Sequence, residues 1–361
     1  YSVISNLNKE KYDVLPVGIS QRGKWFFYGG DIEKIKEDRW EEDAASVPAV
    51  LSADRGANEL IVFRGDSIER KHIDVAFPVM HGKYGEDGTI QGLIELAGIP
   101  LAGCGVLSSA LCMDKDRAHK LADFAGIDVA KSLTIGEVYD DSTVIEFGRK
   151  VGYPVFVKPV KAGSSYGVSK VESEDDVLAA VEFAFKYDNE VIIEENIEGF
   201  EVGCAVMGVD DIVVGEVDEI ELSSGFFDFT EKYTLKTSAI YVPARIDKET
   251  AERIKETARR LYRVLGCSGF ARIDMFLTPE KRVVFNEVNT IPGFTEHSRF
   301  PGMMKAAGIS FAEVLDTIVT QAIASAEVTM ARVALSTVSV RKGQLVFVMP
   351  IMCIEKEAGL L

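Results

Sequence analysis

Two strand-like runs late in the sequence carry the residues best suited to chemistry. In Phe270-Ala-Arg-Ile-Asp-Met-Phe-Leu277, Arg272 and Asp274 stand two positions apart, and in Val283-Val-Phe-Asn-Glu-Val-Asn289 so do Glu287 and Asn289. Side chains alternate across a strand, so each pair shares a face. The Pro-containing turn Thr278–Lys281 between the runs reads as a hairpin connection. Pairing of its strands clusters all four residues. Asp, Glu and Asn are hard oxygen ligands of the kind Mg²⁺ takes, and a nearby Arg suits a phosphoryl group. Such a set holds metal between the β- and γ-phosphates of a nucleotide. On this motif alone, the solvated face of an edge hairpin is an equally simple account.

Four further motifs have similar potential. The run Val155-Phe-Val-Lys-Pro-Val-Lys-Ala-Gly-Ser-Ser-Tyr-Gly-Val168 delivers Lys158 from a strand into a Gly/Ser loop. Its glycines let backbone N–H groups approach an anion. A strand follows rather than a helix, so the loop reads as a phosphate-covering flap or an ordinary turn, not a P-loop. Val191-Ile-Ile-Glu-Glu195 ends an apolar strand in paired carboxylates, with Glu201 close behind. They either leave the core or read an adenine amino group through Glu194 and a ribose through Glu201. His81-Gly-Lys-Tyr-Gly-Glu-Asp-Gly88 follows a short strand, where open α/β sheets bind ligands. Glu231-Lys232-Tyr233, after the loop Ser223–Phe229, suggests a lid or core packing.

The elements that must position these motifs alternate between strands and helices. Tyr1–Leu7 reads as the end of a helix, Val14–Ile19 and Val75–Met80 as strands, and Thr89–Ala97 as a helix stopped by Gly98. Residues 1–103 therefore read as an α/β domain built on a parallel sheet. An α/β unit that opens in mid-helix is expected to have lost its first strand. Residues 104–193 and 194–326 read as two further α+β subdomains. The β-branched, apolar tail 327–361 is left unassigned. The chain of 361 residues is long enough for two or three domains, and its net charge of −17 argues against nucleic acid or anionic membranes as partners. Five scattered cysteines and four scattered histidines give neither zinc spacing nor a disulfide framework, so reducing cytoplasm is the natural compartment. No apolar run reaches the ~20 residues of a membrane span.

Taken together, the runs HGKYGEDGTIQGLIELAGIP, MDKDRAHK, VFVKPVKAGSSYGVSKV, EKYTL, FARIDMF and FNEVNTIPGFTEHSRFP resemble, in order, the pattern of the D-alanine–D-alanine ligase family of ATP-grasp enzymes. The match covers roughly Tyr12 to Ile323. The resemblance implies an ATP-grasp fold and ATP with two Mg²⁺ (or Mn²⁺) as cofactors. It implies Lys115, Lys158 and Lys232 on the nucleotide phosphates, and Glu194, Glu195, Ile197 and Glu201 around the adenosine. Asp274, Glu287 and Asn289 would bind the metals. Ser164 would support the loop near the first amino acid, Tyr233 would belong to the mobile loop closing the site, and Arg272 with the backbone of Gly293 would stabilise the oxyanion. His81 and Ser298 would lie at the amino-acid subsites.

The implied reaction joins D-alanine to a second D-amino acid through an acyl phosphate, for peptidoglycan precursors, by an enzyme whose family forms homodimers. The sequence is especially similar to the vancomycin-resistance D-alanine–D-serine ligases of the VanG type. Their pattern places Asp218, Phe227 and Arg299 in the acceptor pocket, so D-serine is favoured and D-alanine remains the alternative. Arg299 facing solvent or pairing with Glu296 is the competing account. The family's opening strand, Gly-rich loop and ammonium-binding Glu have no counterpart after Tyr1. A truncated, ATP-binding remnant with little ligase activity is therefore the second functional reading, and another ATP-grasp ligase the third.

Overall fold

The computed structural model describes residues 1–163, 165–222, 238–295, 297–333 and 344–349, with backbone alone at 222, 238, 327–333 and 344–349. Three sheets organise the chain.

The first holds β1 (Tyr12–Ile19), β2 (Trp25–Tyr28), β3 (Ser46–Leu51), β4 (Glu59–Arg64), β5 (Ser67–His72), β6 (Val75–Pro78) and β16 (Gln344–Met349), in the order β5-β4-β3-β2-β1-β16-β6. Only β1, β16 and β6 run parallel; β1 through β5 pair antiparallel in succession. The sheet is thus mixed, where the sequence suggested a parallel one. The reason is local: tight turns such as Gly65-Asp66 fold back short strands whose polar outer faces hide their period. The position between β1 and β6 is taken by β16, from the tail that sequence reasoning left unassigned.

The second sheet, β7 (Ser132–Gly136), β8 (Val155–Pro159), β9 (Ser169–Val171) and β10 (Glu190–Glu195), has the order β7-β10-β8-β9. Helices Asp141–Val151 and Glu174–Ala184 supply Val144, Val177 and Val181 to the core beneath it. The third sheet is antiparallel: β11 (Phe200–Met207), β12 (Val213–Leu222), β13 (Ser238–Tyr241), β14 (Phe270–Leu277) and β15 (Val283–Asn289), in the order β13-β12-β11-β14-β15. Helix Lys248–Val264, capped by Asp247, buries Ile254, Ala258 and Leu261 against it.

Helix Lys115–Phe124 places Ala118 and Ala122 in the third sheet's core, and β10 runs through Glu195. An aromatic cluster of Phe77, Phe270, Phe294 and Phe300, with ring centroids 4.9–5.8 Å apart, locks β6 of the first sheet onto β14 of the third. Edge-to-face and offset pairs at this spacing add to burial. The contact brings the segment after β6, which carries His81, toward Arg272. No single helix among the described residues is long and apolar enough to cross a membrane.

Candidate active site

A cavity of about 610 Å³ opens between the second and third sheets. One wall carries Phe156 and Lys158 from β8 with Glu194 and Glu195 from β10; the other carries Glu219, Phe276, Phe285, Asn286 and Glu287. Helix Lys115–Phe124 closes one end. Its N-cap Asp114 accepts the Arg117 amide, so Lys115 is held in the first turn, where it donates to the Ala162 carbonyl at 2.7 Å. Lys115, Lys158, Glu194, Glu195, Ile197, Glu201 and Glu287 all line this one cavity.

The hairpin pairs as its alternation suggests. Glu287 lies directly across from Asp274, and Asn289 across from Arg272. Asp274, fully buried, accepts the Arg272 Nε at 2.8 Å and Nη2 at 2.6 Å, and the Asn289 amide at 2.8 Å. Burial opposes the Arg272 charge, but Asp274 holds its pKa above the usual arginine value. Two carboxylates and an amide oxygen fit a hard divalent cation. Both Asp274 oxygens are already engaged by donors, so an ion there shares or displaces those bonds.

Lys158 donates to Glu194 at 2.6 Å. Burial pushes the Glu194 pKa up, but the nearby charges, Lys158 foremost, bring it below the ordinary carboxylate value. Glu195 turns aside to the amide and ammonium of Lys131.

The acceptor-pocket residues are more tightly tied than the sequence suggested. Arg299 is buried, donating Nε and Nη2 to the two oxygens of Asp218 at 2.7 and 2.8 Å, and Nη1 to Glu201 at 2.7 Å. Asp274 lies 3.4 Å from the same nitrogen. So Arg299 neither faces solvent nor offers a free fork, and Glu201, expected at a ribose, shares its carboxylate with Arg299. Gly203 makes this pair possible. A Cβ there would stand 2.3 Å from Arg299 Nη2 and 2.6 Å from Asp218 Oδ1.

Ser298 accepts the Thr295 amide at 3.0 Å, and its hydroxyl lies beside Gly293, whose lack of a side chain lets the two approach. His81 has its pKa lowered by burial and by Arg272, and Glu86 has its own pushed up to about 7, mainly by burial. A second cavity of about 450 Å³, lined by Ile19, Trp25, Met80, Tyr84 and Ile90, lies beside this loop. Ser164, Phe227, Lys232, Tyr233 and Glu296 lie outside the described residues.

Sequence reasoning missed several cavity residues, Arg245 and His119 among them. Arg245 stacks 3.8 Å from the Tyr241 ring and ion-pairs with Glu219 and Glu221. His119 stands one turn after Lys115, and that i, i+4 spacing was the available signal.

Comparison with known proteins agrees with this geometry. The family models "D-ala D-ala ligase N-terminus" and "D-ala D-ala ligase C-terminus" match residues 1–104 and 121–320. The chain is 47% identical over 326 residues to the vancomycin B-type resistance protein VanB of Enterococcus faecalis, covering 89% of this chain and 92% of that protein. It is 42% identical over 327 residues to a D-alanine–D-alanine ligase of Caldicellulosiruptor bescii, covering 89% of each. Among solved structures, the VanG D-Ala:D-Ser ligase of Enterococcus faecalis superposes with a TM-score of 0.83 at 54% identity, over 89% of this chain and 93% of that one. The paired sheets enclosing one cavity, the hairpin carboxylates and these likenesses together make the chain a member of the D-alanine–D-alanine ligase family, an ATP-dependent carboxylate–amine ligase.

Proposed function

We propose that the chain joins D-alanine to D-serine at the expense of ATP, in the cytoplasm and as a homodimer, for peptidoglycan precursors of the vancomycin-resistant kind. The observation that carries the reading is the buried Arg299–Asp218 pair at the end of the site. Arg299 is already paired to Asp218 and Glu201, so what this polar wall leaves for an acceptor is the remaining lone pairs of the carboxylates, which a serine hydroxyl can use and an alanine methyl cannot. A pocket built to hydrogen-bond a hydroxyl penalises the analogue lacking it. The 54% identity to the VanG D-Ala:D-Ser ligase supports the same choice.

In the reaction, the first D-alanine carboxylate attacks the γ-phosphorus of ATP, the bond from that phosphorus to the β-phosphate bridging oxygen breaks, and ADP leaves. The D-serine amine then attacks the carbonyl carbon of the acyl phosphate, inorganic phosphate leaves, and the nitrogen gives up a proton as the amide forms. Lys115 and Lys158 offset charge on the phosphates, with Lys232 in the same role from the lid. Glu194, Glu195, Ile197 and Glu201 surround the nucleoside. Asp274, Glu287 and Asn289 would hold Mg²⁺, which when bound would supply positive charge to the transferred phosphoryl group. Arg272 and the Gly293 backbone face the developing oxyanion, and His81, Ser298 and Phe227 line the amino-acid subsites. By resemblance to the family, Ser164 and Tyr233 are assigned a part in keeping water from the acyl phosphate.

The test is competition between D-serine and D-alanine as acceptors with D-alanine as donor, following dipeptide products and phosphate release. Preferential D-alanyl-D-serine supports the reading. Equal or better D-alanyl-D-alanine removes the D-serine assignment, and nucleotide binding without any phosphate release favours the remnant.

A further inference from the structure

His119 is buried at the junction of the two sheets that enclose the cavity, and nothing above assigns it a task. Its Nε2 lies 2.7 Å from the Asn286 carbonyl. A carbonyl only accepts, so this nitrogen carries a proton. Asn286 belongs to β15, immediately before Glu287. On the other side, His119 Nδ1 lies 3.3 Å from Glu194 Oε1 on β10. That approach lacks hydrogen-bond geometry, and neither atom has another partner or meets solvent. The second Glu194 oxygen is taken by Lys158 at 2.6 Å. The imidazole is fixed edge-on against Phe285, with ring centroids 5.3 Å apart and planes at 68°.

Two lone-pair atoms pressed together in a dry interior are costly, since each loses its water without gaining a donor. We infer that His119 is a positioning residue for the nucleotide: a proton held between Nδ1 and Glu194 Oε1 completes a bridge from β10 through the imidazole to the β15 backbone. The bridge sets the gap between the sheets and the pose of Glu194. Lys158 and Lys115 are the other charged groups facing Glu194: Lys158 is on its other oxygen, and Lys115 donates to the Ala162 carbonyl.

The inference rests on the ATP-site reading above, so its test reads nucleotide binding directly, whichever acceptor is ligated. The full chain and three variants are titrated with a fluorescent ATP analogue and Mg²⁺, with melting curves to confirm folding. His119→Leu removes both contacts. His119→Asn keeps a donor near the Nδ1 position, and His119→Gln keeps one near Nε2. The loss of one charge-assisted hydrogen bond corresponds to about tenfold or more in affinity. Nucleotide affinity is expected to fall by about that factor in the Leu and Gln variants and to recover largely in the Asn variant. KM for the D-amino acids should move less than about threefold throughout. Wild-type nucleotide affinity in a folded Leu variant, or an Asn variant as weak as Leu, overturns the role of the Glu194 contact. Failure of the wild-type chain to bind the analogue would instead sink the nucleotide site itself.

Discussion

Replacing Arg299 by Leu should destabilise the chain more than any surface change. The guanidinium faces three carboxylates at once: Asp218, whose side chain is 0% exposed, Asp274 at 2%, and Glu201 at 14%. Without it, Asp218 is left buried with no cationic partner between β11, β12 and the helix Arg299–Ala306. Removing one partner of a buried pair costs about 3–5 kcal/mol. At ~2–4 °C per kcal/mol for a domain of this size, the melting temperature should fall by about 10 °C. Asp218→Leu should cost a similar amount, because it strands the arginine instead. The double variant Arg299→Leu/Asp218→Leu removes both charges. It should lose less than either single one, since apolar replacement of a whole buried pair is often near neutral. Thermal unfolding of the four proteins in one buffer gives the coupling directly. If the two single losses simply add in the double variant, the pair is not coupled and the reasoning fails.

Two further predictions follow from the same site. Glu287→Gln removes the charge of a proposed metal ligand, so turnover at limiting Mg²⁺ should drop roughly tenfold or more and recover in part at high Mg²⁺. Unchanged turnover at limiting Mg²⁺ would reject that ligand assignment. Glu86 has a folded-state pKa of about 7 against an ordinary value of 4.5, raised chiefly by burial. A raised pKa favours the protonated native form, so its contribution is full below pH 4.5 and is lost as pH rises through about 7. The melting-temperature difference between wild type and Glu86→Gln should shrink, then turn against wild type, across that window. A pH-independent difference would count against the shift.

Much of the site could be read from spacing. The i, i+2 pairs Arg272/Asp274 and Glu287/Asn289, Lys158 at a strand end and Lys115 at a capped helix start are local consequences of period and capping, and the sequence carries both. The Arg299–Asp218–Glu201 knot could not be read this way. It joins residues 81 and 98 positions apart, through a gap that exists only because Gly203 has no side chain. His119 was legible only in part: its helix face follows from Lys115, but its partners on β10 and β15 depend on how two sheets meet. The first sheet was misjudged where strands β2 to β5 are short and half-exposed, so their period was masked. Gln344–Met349 had no readable destination, because a lone apolar run does not say which sheet it joins.

That strand also dictates an order of events during synthesis. β1 and β6 leave the ribosome early, yet the strand that lies between them is made roughly 270 residues later. At ~5–20 residues per second, that is about 15–50 s in which two unpaired parallel edges and their apolar faces stand open. Closing a parallel pair over so long a span is among the slowest steps a chain can take. The second and third sheets, whose strands neighbour one another in sequence, can form meanwhile. The half of the molecule that encloses the large cavity therefore matures first, and the first sheet is completed around it, so residues 12–78 are the stretch most exposed to wrong pairing and most dependent on protection until β16 has emerged.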